Sequence, residues 1–218
     1  MDVVIIGTGG LAREFCTWFE DSITICGFST KNTDEFSKFN LPGHLLPPDM
    51  TPEMAGTSNA VIAVGAPAMK ETLYHFYTQR GFKFPRLVHT TSLVGKRVSL
   101  QEGCVVAPKV IIGPNTTLGR CTYINFGTTI AHDVKIDDFC QINPASCING
   151  SISIGKRCTI GSHTSILQGV SVSNDVVTAV GSVIFSNVRS SGTMIGNPAK
   201  KMLLSVSGTI EKNSPPNA

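Results

Sequence analysis

At 218 residues the chain has room for one large domain or two small ones. A net charge of +3, with 15% of residues charged, sets up no strong basic field and argues against nucleic acid as a partner. No apolar run approaches the roughly 20 residues of a membrane span and no signal peptide opens the chain, so no membrane and a cytoplasmic location are expected. Seven cysteines are an odd number, with no CxxC and no Cys/His cluster at zinc spacing. They read as reduced, structural thiols, and no metal site is expected.

In chain order, Asp2 to Gly7 is a short apolar run that stops at glycine, the mark of a buried parallel strand. Gly7, Gly9 and Ala12 then fit G-x-G-x-x-A, followed by a predicted helix through Trp18 and Phe19. Such a turn lets backbone N–H groups approach a phosphate at a helix N-terminus. The acidic residue that would hold an adenosine ribose about 20 positions on is missing. After the second strand, Ile23 to Gly27, the chain reads Phe28-Ser29-Thr30-Lys31, which argues against a dinucleotide dehydrogenase. Residues 32 to 58, rich in Pro, Asn, Ser and Asp, read as a long irregular connection. A third strand at Ala60 to Gly65, a helix from about Ala68 to Arg80 and a strand near Phe82 to Val88 complete a β-α-β unit. This half of a Rossmann-like α/β fold suits a mononucleotide; the alternative is that its glycines only close a tight strand-to-helix turn.

From Val94 to Ile184 every sixth residue is aliphatic, with Thr178 the single exception among sixteen positions. Four residues after each of them sits a small or β-branched residue, Cys104, Thr128, Cys140 and Cys158 among them. Neither the helical period nor simple alternation explains this register, whereas hexapeptide repeats are the signature of a parallel β-helix. The aliphatic residue is predicted to point inward. Gly or Asn just after it (Gly113, Gly119, Asn143, Gly161) is expected to supply unusual turn dihedrals.

The repeat resembles the hexapeptide-repeat acyltransferases, whose left-handed parallel β-helix implies 18 residues per coil, slightly more than five coils here, and a homotrimer with subunits side by side. Together with the Gly7-x-Gly9-Gly10-x-Ala12-Arg13-Glu14 loop and a closing Gly196-x-Pro198-Ala199-Lys200, the chain is similar to the nucleotide-sugar N-acetyltransferases of the bacillosamine and perosamine type, a group that includes sialic acid O-acetyltransferases. The resemblance covers residues 1 to about 202. It divides the chain into a nucleotide-sugar-binding α/β domain (1–88), a catalytic β-helix (89–202) and a tail (203–218).

The resemblance implies that the nucleotide of a UDP-, dTDP- or GDP-amino sugar docks on the N-terminal domain, at Gly7, Thr8, Gly9, Gly10, Leu11, Ser29 and Gly65. Leu11 replaces a histidine and Phe28-Ser29 replace acidic residues found in relatives. Acetyl-CoA would lie in a groove between two β-helices. Histidine as a residue type suits the base role because the imidazole ordinarily titrates near neutrality, and of the five histidines His132 matches the family's catalytic base. His163 competes but lies one position off the column of His132. Asp133 is expected to orient the imidazole, which demands a corner because neighbouring strand residues face opposite ways. Gln141 stands where some relatives carry a second histidine and is assigned to hydrogen bonding with substrate or acetyl group. One 18-residue coil beyond His132 is Gly150, whose N–H should lie over the base and donate to the thioester carbonyl. Ser162 and Val180, also one coil apart, form a second backbone stack for acetyl-CoA, and Lys200 and Lys201 are expected at its phosphates. The implied activity is acetyl-CoA-dependent N-acetylation of a nucleotide-linked amino sugar, a 4-amino-4,6-dideoxyhexose, with sugar O-acetylation or a non-catalytic trimeric scaffold as alternatives.

Overall fold

A computed structural model describes residues 1–202, so the tail expected over 203–218 lies outside the described residues. The N-terminal unit is built on β1 (Asp2–Ile6), which takes a central place in a four-stranded parallel sheet. Its side chains alternate between the two faces, as a strand's must. Val3 and Ile5 pack with Phe15 and Phe19 of the helical segment that opens with α1 (Gly10–Trp18), while Val4 and Ile6 pack on the other side. A strand buried on both faces explains why this stretch shows no polar alternation.

The connection expected to be irregular holds three short elements after β2 (Thr24–Ser29): α2 (Asp34–Lys38), β3 (His44–Leu46) and α3 (Pro52–Ala55). β3 pairs with β2, and β4 (Ala60–Ile62) pairs with β1, giving the order β3-β2-β1-β4. The helix α3 was signalled by Thr51-Pro52: the Thr51 hydroxyl caps the Met54 N–H and proline occupies the first turn. α4 (Pro67–Thr78) then places Tyr74 and Tyr77 against Val4 and Ile6.

The strand expected to close this unit is split: Lys83 makes a single parallel bridge to Asn59 beside β4, and the rest belongs elsewhere. Leu87–Val88 pairs with Val105–Val106 and is the first strand of the β-helix, so the boundary falls just before Leu87. From there two- and three-residue strands stack in parallel into three sheets, with residues up to Ile184 paired 18 positions apart, as in Thr117 with Lys135 and Ile124 with Ile142, before Gly192–Gly196 joins Val176–Thr178 at an interval of 16 and folds back antiparallel on Ala199–Lys201. This is the left-handed β-helix. A column including Leu118, Ile124, Ile136, Ile142, Ile154 and Ile160 fills the interior, each at most 1% exposed. Thr178 is tolerated in it because its hydroxyl accepts from the Gly161 N–H (2.8 Å) and pairs with the Thr164 hydroxyl (2.9 Å).

The unusual dihedrals lie two residues later than expected. Positive φ falls on the third residue after each inward aliphatic, as at Asn115, Asp133, Ser151 and His163. The glycines just after the aliphatic residues serve close approach instead. A Cβ on Gly113 would stand 2.6 Å from the Ala131 carbonyl carbon of the next coil, and one on Gly161 would stand 2.4 Å from the Thr178 oxygen.

The eight-stranded face carries the N-terminal unit. Phe15 meets Tyr123 edge to face at 5.7 Å, and Tyr74 packs on Phe84 and Phe139 at 5.1 and 5.5 Å. Both hydrophobic clusters of the α/β unit therefore continue into the β-helix, through Leu87, Val105 and Ala107 on one side and Cys121 and Phe139 on the other. Arg157 adds an ion pair to Glu71 of α4 at 3.1 Å. All seven cysteines are free, and burial pushes the Cys104 and Cys121 thiols up to about 12, so both stay protonated.

Candidate active site

His132 lies at the corner between the six-stranded face, after Thr129–Ile130, and the five-stranded face, before Lys135–Ile136. The left-handed φ of +59° at Asp133 turns the chain there, which is the corner geometry the pair requires. His132 Nδ1 and Asp133 Oδ2 are 2.8 Å apart, with the two side chains 51% and 50% exposed. The other carboxylate oxygen accepts from Asn115 Nδ2 at 2.8 Å. Hydrogen bonds from Asn115 and from His132 hold the Asp133 carboxyl below the usual carboxylate range, so it is ionised at neutral pH. An ionised carboxylate only accepts, so Nδ1 carries a proton, and in the neutral form of the ring Nε2 presents its lone pair. Asn115 was not singled out in the sequence, although it lies 18 residues before Asp133 and the coil count points to it.

Gly150 covers the imidazole. A Cβ there would stand 2.6 Å from Cε1 and 2.7 Å from Nε2 of His132, so only glycine leaves this ring its place. The Gly150 carbonyl accepts from Gly169 N–H, and no acceptor for its own N–H is found among the described residues. Beside the ring runs a groove of about 580 Å³ on the six-stranded face, lined by Ile111, Pro114, Thr129, Cys147 and Asn149. Leu93 and Ile111 expose 66% and 48% of their surface on this face, and Leu167 and Phe185 are exposed at its edge. The opposite edge carries Ser162 and Val180, where the Ser162 carbonyl accepts from Gly181 N–H at 2.9 Å. His163 sits at that edge too, in the left-handed corner position, with the six-stranded face between it and His132.

The remaining histidines have local partners. His75 lies against Tyr74 and Phe139, and His89 bonds Thr91 and touches Phe19. His44 lies in β3. Among the described residues, no group of three or more His, Cys, Asp or Glu side chains converges as metal ligands would.

In the N-terminal unit, a cavity of about 500 Å³ opens where the ends of β1, β2 and β4 face α4. It brings together Gly7 and Ser29 with an apolar floor of Ile6, Val64, Met69, Leu73 and Phe76. The other expected nucleotide residues do not line it. Thr8 is buried and donates to the Asn32 carbonyl (3.2 Å), Gly9 and Gly10 open α1, and Leu11 packs against the core around Phe15. Gly65 follows β4 in open space. Ser29, 1% exposed, already bonds the Pro47 carbonyl and the Tyr77 hydroxyl. Arg13 folds over Phe39 and pairs with Glu35 at 2.8 Å beside the glycine loop.

Gln141 is a correction. It is 5% exposed beneath α4, where its Oε1 accepts from Lys70 Nζ (3.2 Å) and its Nε2 donates to Asn143 (3.3 Å). Lying buried on the eight-stranded face, it is cut off from the His132 groove of the same chain. Lys70 itself is 2% exposed, with its second bond to the Cys140 carbonyl, and burial pulls its pKa down to about 8. Lys200 is exposed in the hairpin of Gly192–Gly196 and Ala199–Lys201 that ends the prism, and Lys201 donates to Ser190.

One relation governs the whole arrangement. The N-terminal cavity belongs to the unit docked on the eight-stranded face, whereas His132 stands at the corner opposite that face. Within one chain, the prism separates them.

No family model matches the chain. Over 120 residues it is 30% identical to the GDP-perosamine N-acetyltransferase of Escherichia coli O157:H7, which takes in 52% of this chain and 54% of that protein. It is 32% identical over 104 residues to the UDP-3-O-acylglucosamine N-acyltransferase of Bordetella parapertussis, 43% of this chain and 29% of that one. In sequence the chain thus spans about half the length of the first relative and under a third of the second. In three dimensions it superposes on PerB from Caulobacter crescentus, solved with CoA and GDP-perosamine, with a TM-score of 0.86 at 26% identity, covering 93% of this chain and 97% of that one.

Proposed function

We propose, on the premise that the chain belongs to the left-handed β-helix, hexapeptide-repeat acyltransferases, that it transfers acetyl from acetyl-CoA to the amine of a nucleotide-linked 4-amino-4,6-dideoxyhexose. The observation that carries this reading is an imidazole of fixed tautomer, open to a groove on one side and covered by a bare glycine on the other. The neutral amine attacks the thioester carbonyl carbon, and a C–N bond forms. His132 Nε2 takes the amine's proton while the Nδ1–H···Asp133 bond stabilises the resulting imidazolium. The Gly150 N–H donates to the developing oxyanion. Collapse breaks the C–S bond, and the departing CoA thiolate recovers the proton from the imidazolium. No acyl-enzyme is involved.

Because the nucleotide cavity and His132 lie on opposite sides of one prism, the acceptor must be held by one copy and deprotonated by another. A homotrimer with side-by-side β-helices meets that need, burying the apolar six-stranded face and bringing the Ser162–Val180 edge of one copy to the His132 edge of its neighbour. Backbone groups of Ser162 and Val180, with Lys200 nearer the phosphates, would hold the CoA. Free, unpaired cysteines suit the reducing cytoplasm, where acetyl-CoA and nucleotide sugars meet, and the acetamido sugar would serve a surface glycan.

The test is to offer nucleotide-linked amino sugars with acetyl-CoA, follow CoA release, and identify the acetylated atom by mass spectrometry. An acetamido product is expected. Acetyl transfer to a sugar hydroxyl alone would replace this reading with O-acetylation, and failure to bind acetyl-CoA would leave only a scaffold.

A further inference from the structure

The N-terminal cavity has an unbalanced set of polar groups. The Ser29 and Tyr77 hydroxyls are engaged with each other at 2.9 Å and with the carbonyls of Pro47 (3.1 Å) and Pro48 (2.8 Å). Thr72 spends its proton on the Ala68 carbonyl at 3.0 Å. No carboxylate is among the lining side chains: β2 ends on Phe28-Ser29, Glu35 is paired with Arg13, and Asp49, near enough to act on the Tyr77 hydroxyl, lies outside the lining. The Thr30 hydroxyl donates to the Asn32 carbonyl and accepts from the Asn32 N–H, both at 3.1 Å. What remains among the lining side chains is Lys31, without an ion-pair partner among the described residues, and the amide of Asn32. The orientation of that amide is set: Asn32 Oδ1 accepts from the Asp34 N–H at 3.1 Å, so the NH₂ group is the half left over. Both remaining side-chain groups are donors, and no side-chain carboxylate in the lining is there to accept.

From this balance we infer that the cavity selects a pyrimidine-2,4-dione, the uracil or thymine ring of a nucleoside diphosphate, and that the Asn32 NH₂ reads a ring carbonyl. The inference rests on the nucleotide-sugar reading above and narrows it. A dione ring offers two carbonyl acceptors and a single N–H, which a hydroxyl lone pair can take. The flat ring lies against an apolar floor of Met69, Leu73 and Phe76. Guanine instead brings three N–H bonds on one edge, and no side-chain carboxylate in the lining is there to pair them. Cytosine presents an amino group where Asn32 presents its own.

Calorimetric titration of the full chain with UDP, dTDP, CDP and GDP, and with acetyl-CoA as a control for an intact second site, tests this. UDP or dTDP should bind at least about tenfold tighter than GDP and CDP. Asn32→Asp keeps the oxygen that caps Asp34 and exchanges the donor for an acceptor, so the UDP-to-GDP affinity ratio should fall by about tenfold whatever the added charge does to diphosphates in general. Equal or tighter binding of GDP would overturn the choice of base and leave the nucleotide reading standing. An unchanged ratio in Asn32→Asp would remove Asn32 from base reading. Binding of acetyl-CoA with no binding of any nucleoside diphosphate would overturn the nucleotide reading and this inference together.

Discussion

The two halves of the molecule encode their sites in different ways. In the β-helix a site residue is found by adding or subtracting 18: Asn115 bonds Asp133, and Gly150 covers His132. In the α/β unit, the cavity draws Gly7, Ser29, Asn32, Pro48 and Tyr77 from separate segments related by no interval. A stacked backbone turns sequence distance into spatial distance, because each coil contacts only its neighbours. A twisted sheet with helices on both faces does not, since its strand order β3-β2-β1-β4 is settled by which apolar surfaces meet.

The strongest way to break this comparison is at the coil-encoded imidazole. His132→Ala should lower kcat by about 10² to 10⁴-fold while leaving acetyl-CoA affinity within about twofold, measured by steady-state kinetics and equilibrium binding. Turnover near normal would take the base out of the corner.

Gly150→Ala sharpens the same point through a neighbour one coil away. Its methyl group would enter the space of the imidazole, a side chain able to swing aside without unfolding the prism. We expect kcat to drop about ten- to a hundredfold with an unchanged unfolding midpoint. Unimpaired turnover would mean that the ring's observed seat is not the working one.

The smallest effect is expected at the seam between the halves, where Lys70 of α4 bonds the Cys140 carbonyl and Gln141. Its folded pKa of about 8 lies below the ordinary 10.5, so between those values the unfolded chain holds more of this proton and stability rises with pH. Below pH 8 both states are protonated and the full cost of burying the ammonium is felt. The wild type should therefore gain on Lys70→Met by on the order of 2 kcal/mol between pH 8 and 10.5. Parallel stability curves for the two proteins would show that the amine is not desolvated.

Much of the β-helix was legible beforehand, and the exceptions have physical causes. The six-residue period located the inward column, and the 18-residue coil implied by the resemblance located the His132–Gly150 stack. It misassigned the glycines, because close backbone approach and a left-handed φ both select glycine and composition alone does not separate them. Gln141 was misread because its position in a hexad says that it faces outward, not that α4 lies on top of it. Leu87–Val88 was given to the wrong half because an apolar pair carries no mark of its partner.

By itself, the chain's periodicity determined a parallel β-helix of six-residue repeats and the residues that fill it, since the inward aliphatics recur at a spacing no helix or flat sheet accepts. The 18-residue coil and the choice of His132 came from the resemblance to the hexapeptide-repeat acyltransferases. Only the tertiary structure decided which face the α/β unit covers, and hence that its cavity and the imidazole lie across the prism from each other. That choice rests on the fit of Phe15 to Tyr123 and of Tyr74 to Phe139, contacts between distant segments that local pattern does not record.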